Sequence, residues 1–112
     1  MCAVLMVAGL VGAAHADEYP SRYIRIIVGP GLDTPARLFG AKIASLLNTQ
    51  VVVEQKPAAG GALALQTVGS APPDGYTLLL ATAAYTINTA TGRFTLDLRK
   101  NFEPIGQVTD VK

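Results

Sequence analysis

The sequence predicts an α/β fold, a parallel sheet with helices on both faces. Three near-continuous apolar runs carry this reading, Ile24–Val28, Val51–Val53 and Tyr76–Ala81, together with the helix-patterned stretches that separate them. Strands buried on both faces read as unbroken apolar runs, whereas strands with one wet face alternate apolar and polar residues.

The first strand, Ile24-Arg25-Ile26-Ile27-Val28, is β-branched and apolar, bounded by Pro20-Ser21 before it and Gly29-Pro30-Gly31 after it. A helix follows. Asp33 or Thr34 can cap it, Pro35 suits its first turn, and Ala36, Phe39, Ile43 and Leu46 or Leu47 recur at helical spacing before Asn48 and Thr49 close it. Val51-Val52-Val53-Glu54 reads as the second strand, Gln55 to Gly61 as a loop, and the Ala/Leu-rich segment Ala62 to Val68 as a second helix. Ala71-Pro72-Pro73-Asp74-Gly75 is a dense turn signal in front of the third strand and reads as structural. From Thr82 to Thr95 the chain is small and polar without clear periodicity, which predicts a loop with about one helical turn. Phe102 to Val108 is compatible with a final short strand.

Ahead of this pattern, Met1 to Ala16 carries no Lys, Arg, Asp or Glu, is rich in apolar residues, and ends in Ala14-His15-Ala16. That small-x-small ending predicts a secretory signal cleaved after Ala16 and an extracytoplasmic destination. The apolar run is too short for a comfortable membrane span. Cys2 stands at its beginning, not at its end where a lipidated cysteine belongs.

Composition narrows the function. Cys2 and His15 are the sole cysteine and histidine, so residues 17–112 contain neither. Disulfides, thiolate nucleophiles, Cys/His zinc sites and Ser-His-Asp catalysis all need residues that segment lacks, and no enzyme, metal or cofactor is expected. Nine basic and eight acidic residues are interspersed at a net charge of +1, which gives no nucleic-acid footprint.

In an open parallel sheet, ligands bind beyond the carboxyl ends of the strands, where loops gather and helix N-termini favour negative charge. Three loops occupy that position. The first, Gly29 to Thr34, allows close backbone approach at Gly29 and Gly31 and adds Asp33 and Thr34; a tight turn with an ordinary cap is the alternative. The second, Lys56-Pro57-Ala58-Ala59-Gly60-Gly61, sets Ala59, Gly60 and Gly61 before a helix and suits an anionic group; Lys56 is also an ordinary solvated lysine. The third offers Thr82, Tyr85 and Asn88, able to hydrogen-bond a solute's polar end and cover its carbon chain, while Tyr85 equally suits a packed ring. Neither a P-loop nor a dinucleotide fingerprint is present.

Several segments resemble the tripartite tricarboxylate transporter substrate-binding receptors, often called Bug proteins. They are Tyr19-Pro20-Ser21-Arg22 leading into the first strand, Asp33-Thr34 with Ala36-Arg37, Val51-Val52-Val53-Glu54 with Lys56-Pro57-Ala58-Ala59-Gly60-Gly61, Ala71 through Leu80, and Ile87-Asn88. The resemblance runs in order over nearly all of residues 17–112. It implies the first lobe of a two-lobed, type II periplasmic-binding-protein fold that closes on a small carboxylate solute, such as a di- or tricarboxylate, amino acid or aromatic acid. It also implies delivery to membrane permease subunits, and contacts made by the three loops named above. Two departures stand out: Gly29 to Asp33 is shorter than the family's usual first loop, and the lobe is expected to be incomplete, ending near the crossover between lobes. The competing expectation is a non-binding remnant, or an accessory module completed by a second chain.

Overall fold

A computed structural model describes residues 17–108. The predicted signal and the last four residues lie outside them.

Strand β1 (Ile24–Val28) is the centre of a three-stranded parallel sheet of order β2-β1-β3, with β2 at Val51–Gln55 and β3 at Thr77–Leu80. The sheet carries a hydrophobic cluster on each face. Ile26 and Val28 pack with Ala36, Phe39 and Ile43 of helix α1 (Asp33–Leu47) and with Val51, Val53 and Leu80. On the opposite face, helix α2 (Ala62–Gly69) brings Leu65 into a second cluster with Tyr85, Phe94 and Leu79. Helices therefore cover both faces, and Ile24, Ile26, Ile27 and Val28 are at most 1% exposed. Full burial of such side chains is worth about 1.5–3 kcal/mol each, which makes β1 the energetic axis of the fold.

Coverage is uneven towards the edges. Helix α1 contacts β1 and β2, whereas α2 contacts β1 and β3. Each edge strand thus has one covered side, and all residues of β3 and all but the exposed Gln55 in β2 are half-buried. On the open side of β2 stands a charged pair, Arg25 Nε and Nη2 donating to the two carboxylate oxygens of Glu54 at 2.7 and 2.8 Å. On the open side of β3 lies an apolar depression of about 330 Å³ lined by Leu78, Ile24, Ile43, Leu46, Leu47 and Tyr19, among others. Within α1, Gly40 is a packing requirement, since a Cβ there would come within 3.1 Å of Val51 Cγ1.

Both expected helices and all three strands form, with end shifts of one residue. Four details differ from expectation. The N-cap of α1 is Leu32, without a side-chain cap hydrogen bond. Asp33 already lies in the first turn, where its carboxylate accepts from Arg37 Nε at 2.9 and 3.0 Å instead of capping the backbone. The segment expected to be mostly loop contains a two-turn helix, α3 (Ala83–Ala90). Its periodicity is hidden because its one buried residue is Tyr85. Finally, no strand forms over 102–108; Pro104 lacks a donor, the segment apart from half-buried Phe102 is exposed, and the sheet consists of β1, β2 and β3 alone among the described residues. The turn before it is helix α4 (Leu98–Asn101), capped by the Asp97 carboxylate, which accepts from Arg99 N at 2.8 Å.

At the amino end of the sheet, the arm before β1 clasps the turn before β3. Tyr19 Oη donates to Gly75 O at 2.7 Å, Ser21 N donates to Tyr76 Oη at 2.7 Å, and Arg22 pairs with Asp74 at 2.6 Å while stacking over the Tyr76 ring.

Candidate functional site

The strand order creates the site. After β1 the chain leaves to the α1 side of the sheet, and after adjacent β3 it leaves to the side of the α2 cluster, through Tyr85. Loops that diverge from neighbouring parallel strands open a crevice at their carboxyl ends, the usual place for a ligand in such sheets. The loop after β2 closes the third side, starting from Lys56, whose N–H donates to Val28 O at 2.8 Å.

Three of the ten predicted residues meet there. The Tyr85 hydroxyl lies against the backbones of Gly29 and Gly61: an added Cβ at Gly29 would overlap the hydroxyl, and one at Gly61 would stand 2.6 Å from it. Glycine at these two positions is therefore a steric requirement imposed by a residue more than twenty positions away from either. The Tyr85 ring is 3% exposed and packs at 5.7 Å from the Phe94 ring, tilted by 57°. Burial pushes its phenol above the ordinary value, with a hydrogen bond from the Gly29 backbone pulling the other way, so the group stays protonated at neutral pH.

Between Pro57 and α2, residues Ala59, Gly60 and Gly61 all adopt left-handed backbone angles, with φ of 54°, 66° and 98°. For Ala59 this costs roughly 1 kcal/mol, strain of a kind that gathers at functional loops. Gly31 and Gly60 also have positive φ and face open space.

The remaining residues sit around this centre without meeting it. Thr34 is exposed on the first turn of α1, and Asp33 is tied to Arg37. Thr82 is the exposed N-cap of α3, its carbonyl accepting from Tyr85 N at 3.1 Å. Asn88 lies six residues further along α3, and its carbonyl accepts from Arg93 N and Phe94 N. Two contributors were missed from sequence: Pro30, whose Cδ is 3.4 Å from a Cβ built on Gly61, and Phe94, the ring that backs Tyr85. Neither carries a local signal, because both act through packing of distant segments.

A polar depression of about 280 Å³, lined by Arg22, Arg25, Asp74 and Tyr76 among others, lies at the opposite, amino end of the strands. Its two arginines are already paired with Asp74 and Glu54, and it lacks the convergent helix N-termini of the carboxyl end, which makes it the weaker candidate.

An α/β unit whose three strand-end loops gather at the carboxyl end of a parallel sheet has the build expected of a solute-binding protein. The family model described as tripartite tricarboxylate transporter family receptor matches residues 36–111, and the chain belongs to that family. The match starts after the first loop. A UPF0065 protein of Bordetella bronchiseptica is 38% identical over 99% of this chain and 35% of its own length. Among solved structures, a TctC solute binding protein from Polaromonas aligns with TM-score 0.67 at 28% identity, covering 73% of this chain and 30% of that one. R. palustris Rpa4515 with adipate aligns with TM-score 0.59 at 25% identity, covering 62% of this chain and 24% of that one. The chain thus spans about a third or less of the relatives it matches. The family is one of periplasmic solute-binding receptors, not of enzymes.

Proposed function

We propose that this chain is the incomplete N-terminal lobe, residues 17–112, of a periplasmic receptor, exported by a signal at 1–16. The receptor captures a small carboxylate solute for tripartite tricarboxylate-type permease subunits and catalyses nothing. The observation that carries this reading is the convergence of the strand-end loops on Gly29, Gly61 and Tyr85. Around that centre, Gly31, Asp33, Thr34, Ala59, Gly60, Thr82 and Asn88 supply the further contacts. The α2 N-terminus favours an anion there, and a carboxylate accepts from backbone N–H groups and hydroxyls alike. The adipate bound by the R. palustris relative is a dicarboxylate of this class.

Closure of two lobes excludes water and completes the contacts, so one lobe alone binds weakly. Titration of the ¹⁵N-labelled chain with adipate, citrate, succinate and glutamate tests this. Saturable millimolar shifts at Gly29, Gly60 and Gly61 are expected; no response to any carboxylate sinks the reading, and micromolar affinity sinks the one-lobe argument.

A second reading, an accessory module completed by another polypeptide, draws on the bare apolar side of β3. It predicts that the chain remains silent to every carboxylate until the second polypeptide is added.

A further inference from the structure

Among the described residues, the Tyr85 hydroxyl is the buried side-chain polar atom without a well-formed hydrogen bond: the Gly29 backbone N–H approaches it as a donor, but no protein group accepts its own proton. The ring below it is well fixed. It packs against Leu65 and Phe94, and its backbone carbonyl accepts from Thr89 Oγ1 at 2.9 Å. A ring needed for packing alone is served as well by phenylalanine, whose burial carries no unpaired O–H. The hydroxyl instead points between two glycine backbones, the second of which, Gly61, is the N-cap of the eight-residue helix α2.

The missing partner has definable chemistry. It must accept a hydrogen bond, be small enough to enter between Gly29 and Gly61, and tolerate or prefer the positive end of a helix. An ionised carboxylate is acceptor-only and is favoured at a helix N-terminus. We infer that Tyr85 is a ligand-positioning residue: when a carboxylate enters the crevice at the start of α2, the loops bearing Gly29 and Gly61 part and the phenol donates to one of its oxygens. This rests on the carboxylate-receptor reading above and assigns a single donor within it. Ligand entry then gives the buried O–H the acceptor that no protein group supplies.

Tyr85→Phe separates this role from a structural one, because the two predict opposite combinations. Thermal unfolding of the empty whole chain and NMR titration with adipate are measured for wild type and variant. The expected result is a melting temperature equal to or above wild type together with an adipate Kd about tenfold weaker, the usual loss for one charge-assisted hydrogen bond. An unchanged Kd overturns the inference while leaving the carboxylate reading intact. A melting temperature lowered by several degrees also overturns it, since the hydroxyl then had a partner in the empty fold. A wild-type chain silent to every carboxylate removes the reading on which the inference stands, and the inference with it.

Discussion

The steric link between Gly29 and Tyr85 makes a quantitative prediction. A methyl group at residue 29 overlaps the phenol oxygen, and behind that oxygen it meets Tyr85 Cζ at 3.2 Å and Gly61 Cα at 3.3 Å. Overpacking of this kind costs about 1–3 kcal/mol, and we expect Gly29→Ala to destabilise by about 2 kcal/mol. Tyr85→Phe removes the oxygen and leaves two tight but tolerable contacts, so the same Gly29→Ala change should cost only about 1 kcal/mol in that background. The double-mutant cycle should therefore return a coupling of about 1 kcal/mol, within the range for residues in contact. Urea unfolding followed by far-UV circular dichroism measures all four corners. At this chain size 1 kcal/mol is worth about 4–8 °C in melting temperature, so thermal scans provide a second readout. Equal costs of Gly29→Ala in the two backgrounds would refute the reasoning, because the phenol would then not be what requires glycine there.

Three further outcomes follow from other parts of the structure. Leu65→Ala empties the centre of the α2 cluster, where Leu65 is 1% exposed, and should cost about 2–5 kcal/mol by urea unfolding. Ala59→Gly should stabilise by up to about 1 kcal/mol by relieving a left-handed alanine, and Gly60→Ala should destabilise by a similar amount, a sign reversal between adjacent residues checked by melting temperature. The hydrogen bonds from Arg25 hold the Glu54 carboxyl below its ordinary value, with burial opposing. A carboxylate lowered in the folded state contributes stability that is complete above its unfolded value of about 4.3 and is lost as pH falls through the folded one. Glu54→Gln should accordingly cost about 1 kcal/mol or less at pH 7 and flatten the acid limb of a stability profile below about pH 4.

The fold was most legible where short-range signals agree. Strand β1 lies within its predicted bounds because an apolar β-branched run is punctuated by Pro and Gly at both sides. The end of α1 was readable from Asn48, which takes the left-handed C-cap expected of Asn. Helix α3 was less visible because a helix anchored by one residue shows no repeat, and its exposed Ala83, Ala84, Thr86 and Ile87 dilute the pattern. Helix α4 did leave a trace in Asp97 and Asn101, which bond each other's turn, but four residues lie below the length at which periodicity operates. For the site, the three loops were identifiable from their glycines and their place after strands. That Gly29 and Gly61 serve the same phenol was not, since steric exclusion between segments separated by a strand and a helix leaves no local mark.

The clasp at the amino end determines how this chain can be handled. Tyr19, Ser21 and Arg22 are anchored on residues 52 to 56 positions later, which fixes the arm that begins at residue 17 at the pole of the sheet opposite the three loops. An immobilising tag or fluorophore attached upstream therefore leaves the crevice facing solution, and a force applied through that attachment loads the clasp before it reaches the loops.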